Sequence, residues 1–200
     1  MSLEAEVRAM ASSAGIEPAD LPIFGPSSED GHPNVEFDGL QFHYVSKERN
    51  VEYKHMVLPS SEDAMYQIFE DAAFRAGVRY SRARSVPGRS DRRLIYERQA
   101  ELLGLLRPEW KSRIEVVQAE KLKSQPFDDC EKERADFARD LRGKGKTAGE
   151  AWTLACKQFP LPLASGQVHL ADRLKATDDL RSEVDDGDKE DGGALGAPES

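Results

Sequence analysis

The stretch "FHYVSKERN" (residues 42–50), followed directly by "VEYKHMVLP" (51–59), decides the fold that we predict for this chain. Both runs are rich in β-branched and aromatic residues, and they meet at Arg49-Asn50, which suits a hairpin turn. A shorter run of the same kind, "NVEFDG" (34–39), precedes them and ends in a turn dipeptide. These three runs predict a small antiparallel meander.

Side-chain alternation in the meander separates polar groups from core residues. With the second turn centred on residues 48–50, His43 faces His55, while Phe42 and Tyr44 point to the opposite side. Two facing imidazoles could share a zinc ion, but two ligands do not make a metal site. We therefore interpret the two histidines as structural or interface residues.

Helical periodicity accounts for most of the chain after the meander. Ser60 or Ser61 caps a long helix that has acids in its first turn, arginines in its last turn and one apolar stripe between them. Further helices are predicted to start near Asp91 and at Pro108, because proline is tolerated at the first helical position. A short helix ending near Gly15 precedes the meander. The predicted fold class is α+β, with a three-stranded antiparallel meander packed on a mainly helical body.

The composition changes after residue 130, where charges alternate and apolar residues become fewer. This part predicts a C-terminal helical extension in which Thr147 and Glu150 have capping-box spacing, with a last helix over 165–182. Residues 183–200 carry seven acids against one lysine and predict a disordered acidic tail. The predicted domains are 1–129, with a core over about 30–129, then the extension 130–182 and the tail 183–200.

Charge and cysteine content restrict the classes of function. The net charge is -9, so the protein repels nucleic acid globally and favours basic partners in its encounter rate. Cys130 and Cys156 are far apart in the chain and show no C-x-x-C spacing, which is typical of free thiols in a reducing cytosol. We find neither a signal-peptide pattern nor a long apolar run, and we expect a soluble cytoplasmic protein.

Motifs for catalysis are missing from the sequence. There is no G-x-S-x-G, no Walker loop and no G-x-G-x-x-G, and "GKGK" (143–146) precedes a helix with no strand ahead of it. Asp128-Asp129 could act as an acid/base pair, although such acids more often reach backbone amides or nearby arginines. A metal-dependent enzyme at His43, His55 and Asp128 remains a further hypothesis. We expect a protein without enzymatic activity and without a cofactor.

An arginine-rich stretch, residues 75–93, holds seven arginines against Asp91 alone. Such a cluster could follow a phosphate backbone. Residues 134–158 also have the pattern of two helices joined by a turn, but the second helix has little basic charge to enter a groove. A small nucleic-acid-binding regulatory protein that uses residues 75–93 and this helix pair is therefore the alternative function.

Four stretches, taken in order, resemble the immunity protein 63 family of bacterial polymorphic toxin systems. The resemblance covers roughly residues 30–129 and implies a non-enzymatic protein that binds a cognate toxin and blocks it by direct occlusion. The stretches are "FHYVSKERN" (42–50), "IFEDAAF" (68–74) followed by Arg92-Arg93, "ERQAELLGLLRPEW" (97–110) and "QPFDD" (125–129).

An inhibitor of this kind needs affinity and no turnover, and aromatic and arginine side chains commonly anchor tight interfaces. The hairpin offers such side chains on a rigid support. The expected partner is a toxin domain, and we expect no membrane, nucleic-acid or small-molecule partner. The predicted partner-binding residues are His43, Tyr44, Glu48, Arg49, Tyr53, Arg92, Arg93, Asp128 and Asp129.

Overall fold

The computed structural model describes residues 2–26 and 29–164. The chain divides into two units, residues 1–162 and residues 163–200. All helices and strands described here belong to the first unit. The predicted helix over 165–182 and the predicted acidic tail lie outside the described residues. No helix in the described part of the chain is long and apolar enough to cross a membrane.

The protein has an α+β fold, as the sequence predicts, with six α-helices and four strands among the described residues. The strands come early in the chain and the helices follow them, except for one helix at the start. The strands are β1 (Ile23–Phe24), β2 (Asp30–Phe37), β3 (Phe42–Glu48) and β4 (Val51–Leu58). The helices are α1 (Leu3–Ala14), α2 (Ser61–Arg82), α3 (Asp91–Leu106), α4 (Pro108–Ser124), α5 (Glu131–Gly143) and α6 (Ala148–Gln158), with a short 3₁₀ helix at Pro18–Asp20.

Local capping signals place the helix starts. Ser60 is the N-cap of α2, and its hydroxyl accepts a hydrogen bond from the amide of Asp63 at 3.1 Å. Pro108 occupies the start of α4, where its missing N–H costs no helical hydrogen bond. The capping box predicted for Thr147 and Glu150 is confirmed at the start of α6. These starts agree with the sequence because each depends on contacts within one helical turn.

The sheet differs from the predicted three-stranded antiparallel meander. It is a four-stranded mixed sheet in the order β1-β2-β3-β4, and β1 runs parallel to β2. Ile23 pairs with Asn34 and Phe24 with Val35, while the Asn34 side-chain amide donates to the carbonyl of Gly25 at 3.0 Å. A two-residue strand has no readable alternation, so its pairing depends on contacts that are distant in sequence.

The hairpin between β3 and β4 has a two-residue turn. Arg49 and Asn50 both have positive φ angles, 51° and 64°, and Glu48 pairs with Val51 across the turn. Positive φ at both central residues is the signature of the type I′ turn, which matches the twist of the strands. The hairpin predicted at this dipeptide is therefore confirmed.

The predicted register of this hairpin is wrong by two residues. His43 pairs with Val57 instead of facing His55 directly, and His55 lies opposite Val45. The pairing shifts between Ser46 and Lys47, which is a bulge that adds one residue to β4. The bulge follows from backbone geometry that residue type does not encode. His43 and His55 still share one face, as predicted, and lie diagonally across it.

The core lies between the sheet and α2, with α3 and α4 packed behind. Tyr44 is 1% exposed and contributes to this core from the sheet, whereas Ile68 and Phe69 contribute to it from α2 and are fully buried. Leu103 of α3 and Trp110 of α4 complete it. Burying a large apolar side chain stabilises a fold by about 1.5–3 kcal/mol, so these residues carry much of the stability.

Helices α2 and α3 approach closely at Gly77. A Cβ atom at this position would lie 2.8 Å from the backbone oxygen of Ile95 and 3.2 Å from its Cα. Backbone atoms cannot move aside as a flexible side chain can. We expect Gly77→Ala to destabilise the protein by about 1–3 kcal/mol, seen as a lower urea midpoint at unchanged slope.

Gly104→Ala is the matched control for this substitution. Its nearest neighbours are side-chain atoms of Lys111, the closest at 3.1 Å, and that long side chain can move. Because alanine is the better helix former, Gly104→Ala should be neutral or stabilising by up to about 1 kcal/mol. Equal losses for the two substitutions would contradict the close approach of the two helices.

Candidate partner-binding surface

The side of β3 and β4 that faces away from α2 is called the outer face here. It comprises His43, Val45, His55 and Val57, together with Glu52 and Tyr53 at the bulge of β4. Tyr53 is 65% exposed and Val57 is 50% exposed. Large apolar side chains on a rigid strand pair are well suited to contact another protein. The outer face is therefore the first place to look for a partner-binding surface.

Four polar side chains at the outer face form one chain, joined by two hydrogen bonds and one further polar contact. Nε2 of His43 lies 2.9 Å from a carboxylate oxygen of Asp38, and Nδ1 of His43 lies 3.0 Å from Nε2 of His55. At the other end, Nδ1 of His55 lies 3.2 Å from a carboxylate oxygen of Glu52. Each imidazole is thus held between the other ring and a carboxylate, which fixes its orientation.

This chain of hydrogen bonds has its own anchor at the turn between β2 and β3. The carboxylate of Asp38 also accepts hydrogen bonds from the amides of Leu40 and Gln41, at 2.8 and 2.9 Å. The hydrogen bond from His43 and these two amides lower the pKa of Asp38 to about 2. A carboxylate held in this way stays ionised and positions His43 rigidly.

The lowered pKa of Asp38 predicts a pH dependence of stability. Because the folded-state pKa lies below the ordinary value of 3.8, the contribution of Asp38 is fully present above about pH 4 and is lost as the pH falls towards 2. Wild-type protein should exceed Asp38→Asn in stability at neutral pH, and the gap should close over this range in urea titrations. Asp136→Asn, an exposed change on α5, is the control. A gap that stays constant down to pH 2 would contradict this reading.

The two histidines do not form part of a metal site in this structure. They contact each other and two carboxylates directly, and within residues 2–26 and 29–164 no group of three or more potential ligands is arranged to hold a metal ion. Asp128, the third member of the hypothetical metal enzyme, is held by Arg134. No described serine or cysteine side chain hydrogen-bonds to either histidine.

Tyr44 lies on the other side of β3 and is not part of the outer face. Its hydroxyl donates to Asp71 of α2 at 2.5 Å, and Asp71 also pairs with Arg75 at 3.0 Å. Lys54 lies over the tyrosine ring, 4.8 Å from its centroid. Burial, and next the nearby charge of Asp71, raise the pKa of Tyr44, so the phenol stays protonated. Of the hairpin residues predicted for partner binding, Tyr44 therefore serves packing.

Glu48 and Arg49 lie at the tip of the hairpin. The side chain of Arg49 is 90% exposed and approaches Glu48 at 4.0 Å, which is a weak contact in solvent. The guanidinium is thus available to a partner at little desolvation cost. Tyr53, close to this tip, is also exposed, whereas the side chain of His43 is only 21% exposed.

The other predicted partner-binding residues lie away from the hairpin, at the start of α3, where they bind one another. Arg93 forms two hydrogen bonds to the carboxylate of Asp129, at 2.9 and 2.7 Å, and the amide of Ser90 donates to the same carboxylate at 2.9 Å. Arg93 and next this amide lower the pKa of Asp129 to about 2. The interpretation that this acid reaches an arginine and a backbone amide, instead of acting as part of an acid/base pair, is therefore confirmed for Asp129.

Arg92 and Asp128 complete this arrangement, and each also binds within the protein. Arg92 donates to the carbonyl of Gln125 at 2.7 Å and lies 5.7 Å from the ring centroid of Phe127. Asp128 accepts a hydrogen bond from Arg134 of α5 at 2.9 Å. The "QPFDD" stretch is thus a clamp that ties the start of α3 to α5.

The arginine-rich stretch, residues 75–93, is largely neutralised by acids of the same protein. Four of its seven arginines form ion pairs: Arg75 with Asp71, Arg79 with Asp20 and Glu17, Arg89 with Glu97, and Arg93 with Asp129. In the predicted helix pair, Arg134 is buried. These residues therefore do not form a continuous basic surface for a phosphate backbone. This weakens the alternative function, nucleic-acid binding.

Sequence reasoning misses the environment of three residues: Asp38 and Glu52 beside the histidines, and Arg134 in the interior. Asp38 was read only as a turn residue, although its position before β3 brings it to His43; Glu52 reaches His55 only because of the bulge. The bulge leaves no trace in residue type. The buried Arg134 was read as one charge among many in an alternating pattern.

The described residues of β3 and β4 present a strand pair with hydrogen-bonded polar groups and exposed apolar side chains. Residues 38–120 match the family model of immunity protein 63, a family of proteins from toxin systems that are generally not enzymes. The matched segment runs from the turn before β3 into α4, so it contains the whole hairpin and the core helices α2 and α3. The resemblance to this family is confirmed for that segment. No curated protein and no solved structure matches the chain significantly.

Proposed function

We propose that this protein is an immunity protein that binds a cognate bacterial toxin domain and neutralises it by direct occlusion. The observation that supports this most strongly is the match of residues 38–120 to the immunity protein 63 family. The proposal needs a rigid surface that carries exposed aromatic, apolar and charged side chains. The outer face and the hairpin tip have these properties.

The proposed interface centres on Tyr53 and Val57, with Arg49 at the hairpin tip and the His43–His55 chain beside them. Tyrosine and arginine are enriched among residues that dominate binding energy, because they bury much area and form directed hydrogen bonds. The two histidines are already fixed by Asp38 and Glu52, so little conformational entropy is lost on binding. The net charge of -9 favours the approach of a basic toxin surface.

Arg92, Arg93, Asp128 and Asp129 have a different role in this proposal. Arg93, Asp128 and Asp129 form ion pairs within the protein, and Arg92 donates to a backbone carbonyl, so using these residues for binding would break existing contacts. We propose that they hold the fold together and contribute to immunity only indirectly. The two free cysteines, Cys130 and Cys156, fit a reducing compartment such as the cytoplasm, where we place the protein.

Growth rescue tests the proposed function. The toxin domain encoded next to this chain is expressed from an inducible promoter in a sensitive host, with and without this protein. The proposal expects that growth is restored only when the two are expressed together. Unchanged killing at equal expression would rule the function out.

Tyr53→Ala tests the proposed interface. Removing an exposed aromatic anchor should weaken toxin binding by about 2 kcal/mol, or about 30-fold in Kd, with little change in the unfolding midpoint. Calorimetric titration measures the first effect and urea denaturation the second. Trp152→Ala removes another exposed aromatic ring, on α6 and outside the matched segment, and should leave Kd unchanged. A Tyr53→Ala variant that binds as tightly as wild type would move the interface elsewhere.

A further inference from the structure

A polar cleft opens between β4 and the helices α2, α3 and α4, on the opposite side of the sheet from the outer face. Its volume is about 210 Å³. At about 30 Å³ for each water of the liquid, this is room for about seven waters or one small polar molecule. Its lining includes Lys54, Gln67, Glu70, Gln118 and Lys121. Gln67 and Gln118 are buried, Lys54 and Glu70 are half-buried, and Lys121 is exposed at the rim; buried polar groups are costly unless they have partners.

Gln67 is the decisive residue of this cleft. Its side chain lies on the buried side of α2 and is only 7% exposed, yet its amide makes no hydrogen bond to any described residue. This amide is not sealed from solvent. It therefore reaches the cleft, where it offers one acceptor and two donors to whatever the cleft holds.

Two further glutamines build the floor of the cleft and fix its shape. Gln118 of α4 donates to the side-chain oxygen of Gln99 at 2.9 Å, and Gln99 of α3 donates to the carbonyl of Glu70 at 2.9 Å. These bonds connect α2, α3 and α4. Both side chains are at least nine-tenths buried. The side chain of Gln118 forms two hydrogen bonds, to Gln99 and to the carbonyl of Tyr96, and both use its amide nitrogen. Its oxygen is therefore left as a second acceptor in the cleft.

The charged groups of the cleft have opposite signs and are not consumed by ion pairs with described residues. Lys54 lies over the ring of Tyr44, and neither it nor Lys121 at the rim forms a salt bridge with a described residue. The carboxylate of Glu70 likewise has no described cationic partner. Asp71, by contrast, is held by Tyr44 and Arg75. The cleft thus offers two ammonium groups for an anion and one carboxylate for a cation.

We propose that this cleft binds a small zwitterion, a molecule that carries a carboxylate and a protonated amine, as a free α-amino acid does. The carboxylate of the ligand pairs with Lys54 and Lys121, and its ammonium group pairs with Glu70. The amide of Gln67 and the oxygen of Gln118 supply directed hydrogen bonds that select an orientation. The site is separate from the outer face, so it adds a small-molecule ligand to the protein partner of the proposed function and does not depend on it.

Thermal unfolding of the full chain tests the site. Each of the common L-α-amino acids is added separately at millimolar concentration, and the matching amino-acid amides and simple carboxylic acids serve as probes with one charge only. At about ten times its Kd, a bound amino acid should raise Tm by about 3–5 °C. The single-charge probes should raise it by much less. If no amino acid raises Tm, or if the single-charge probes act equally well, the proposal is overturned.

Two variants locate the binding in the cleft. Gln67→Leu removes the unpartnered amide, and Lys121→Met removes a charge at the rim, where no packing depends on it. Each should weaken binding in calorimetric titration at least tenfold, whereas Lys123→Met, on the same helix but outside the cleft, should not. Should Gln67→Leu fold poorly, the result for Lys121→Met decides. Binding that is unchanged in Lys121→Met would show that the ligand lies elsewhere.

Discussion

Arg134→Ala is expected to destabilise the protein by about 3–5 kcal/mol, because it removes one partner of a buried ion pair. The side chain of Arg134 is 1% exposed and binds Asp128 through two nitrogens, one of them at 2.9 Å. It also donates to the carbonyls of Phe159 and Pro160, at 2.7 and 3.0 Å. Without it, the carboxylate of Asp128 keeps only the amide of Cys130 as a donor, and two carbonyls lose the Arg134 donor as well. The clamp between α3 and α5 should open.

Urea denaturation followed by circular dichroism measures this loss. Arg139→Ala is the matched control, since Arg139 lies on the same helix, is 76% exposed and, among the described residues, pairs with Asp136 alone. Exposed pairs of this kind contribute little, so the control should stay within about 0.5 kcal/mol of wild type. If Arg134→Ala loses no more stability than Arg139→Ala, the clamp does not hold the fold.

Trp110→Ala is expected to cost about 3–5 kcal/mol by removing the aromatic centre of the helical core. Trp110 is 3% exposed, and its ring lies 5.9 Å from that of Tyr66 and 5.7 Å from that of Phe69. Arg107 covers it from the solvent side at 4.6 Å. The cavity left by alanine cannot close without shifting α2 against α4, because Tyr66 and Phe69 both belong to the packed helix α2.

The second of the two tryptophans of the chain provides the control. Trp152 is 47% exposed on α6, so Trp152→Ala removes a similar ring with little loss of packing. Both variants lose tryptophan fluorescence, but only Trp110→Ala should lower the unfolding midpoint strongly. A free energy of unfolding for Trp110→Ala within about 1 kcal/mol of wild type would mean that the ring is not a core residue.

Much of the fold follows from the sequence because its signals are local. The caps at Ser60 and Thr147, the proline at the start of α4 and the Arg49-Asn50 turn each act within a few residues. Residue type alone therefore places them. The α+β class follows as well, since short β-rich runs precede the helical periodicity.

The features of the sheet that the sequence does not predict depend on contacts between residues that are distant in the chain. Strand β1 is two residues long and exists only because β2 offers it a parallel edge. The two-residue turn and the bulge in β4 each shift the pairing by one residue relative to the prediction, which turns the predicted facing pair of His43 and His55 into a diagonal hydrogen bond. Nothing in the residue types near Tyr53 distinguishes a bulged strand from a regular one.

The predicted partner-binding residues separate in the structure for the same reason. His43, Glu48, Arg49 and Tyr53 lie together on the hairpin because they are close in sequence. Arg93 and Asp129, 36 residues apart, form an ion pair that no local pattern reveals. A family motif that is rich in charges can therefore describe an internal clamp as readily as a binding surface.

The central claim, that this protein neutralises a toxin by binding it without turnover, is tested most directly by titrating purified toxin domain with purified protein. We predict that toxin activity falls in proportion to the protein added and vanishes near equal amounts, with a stable complex of Kd about 1 nM or below. Two results would contradict the claim. One is the absence of a complex at micromolar concentrations, and the other is lasting inactivation of many toxin molecules by each molecule of this protein.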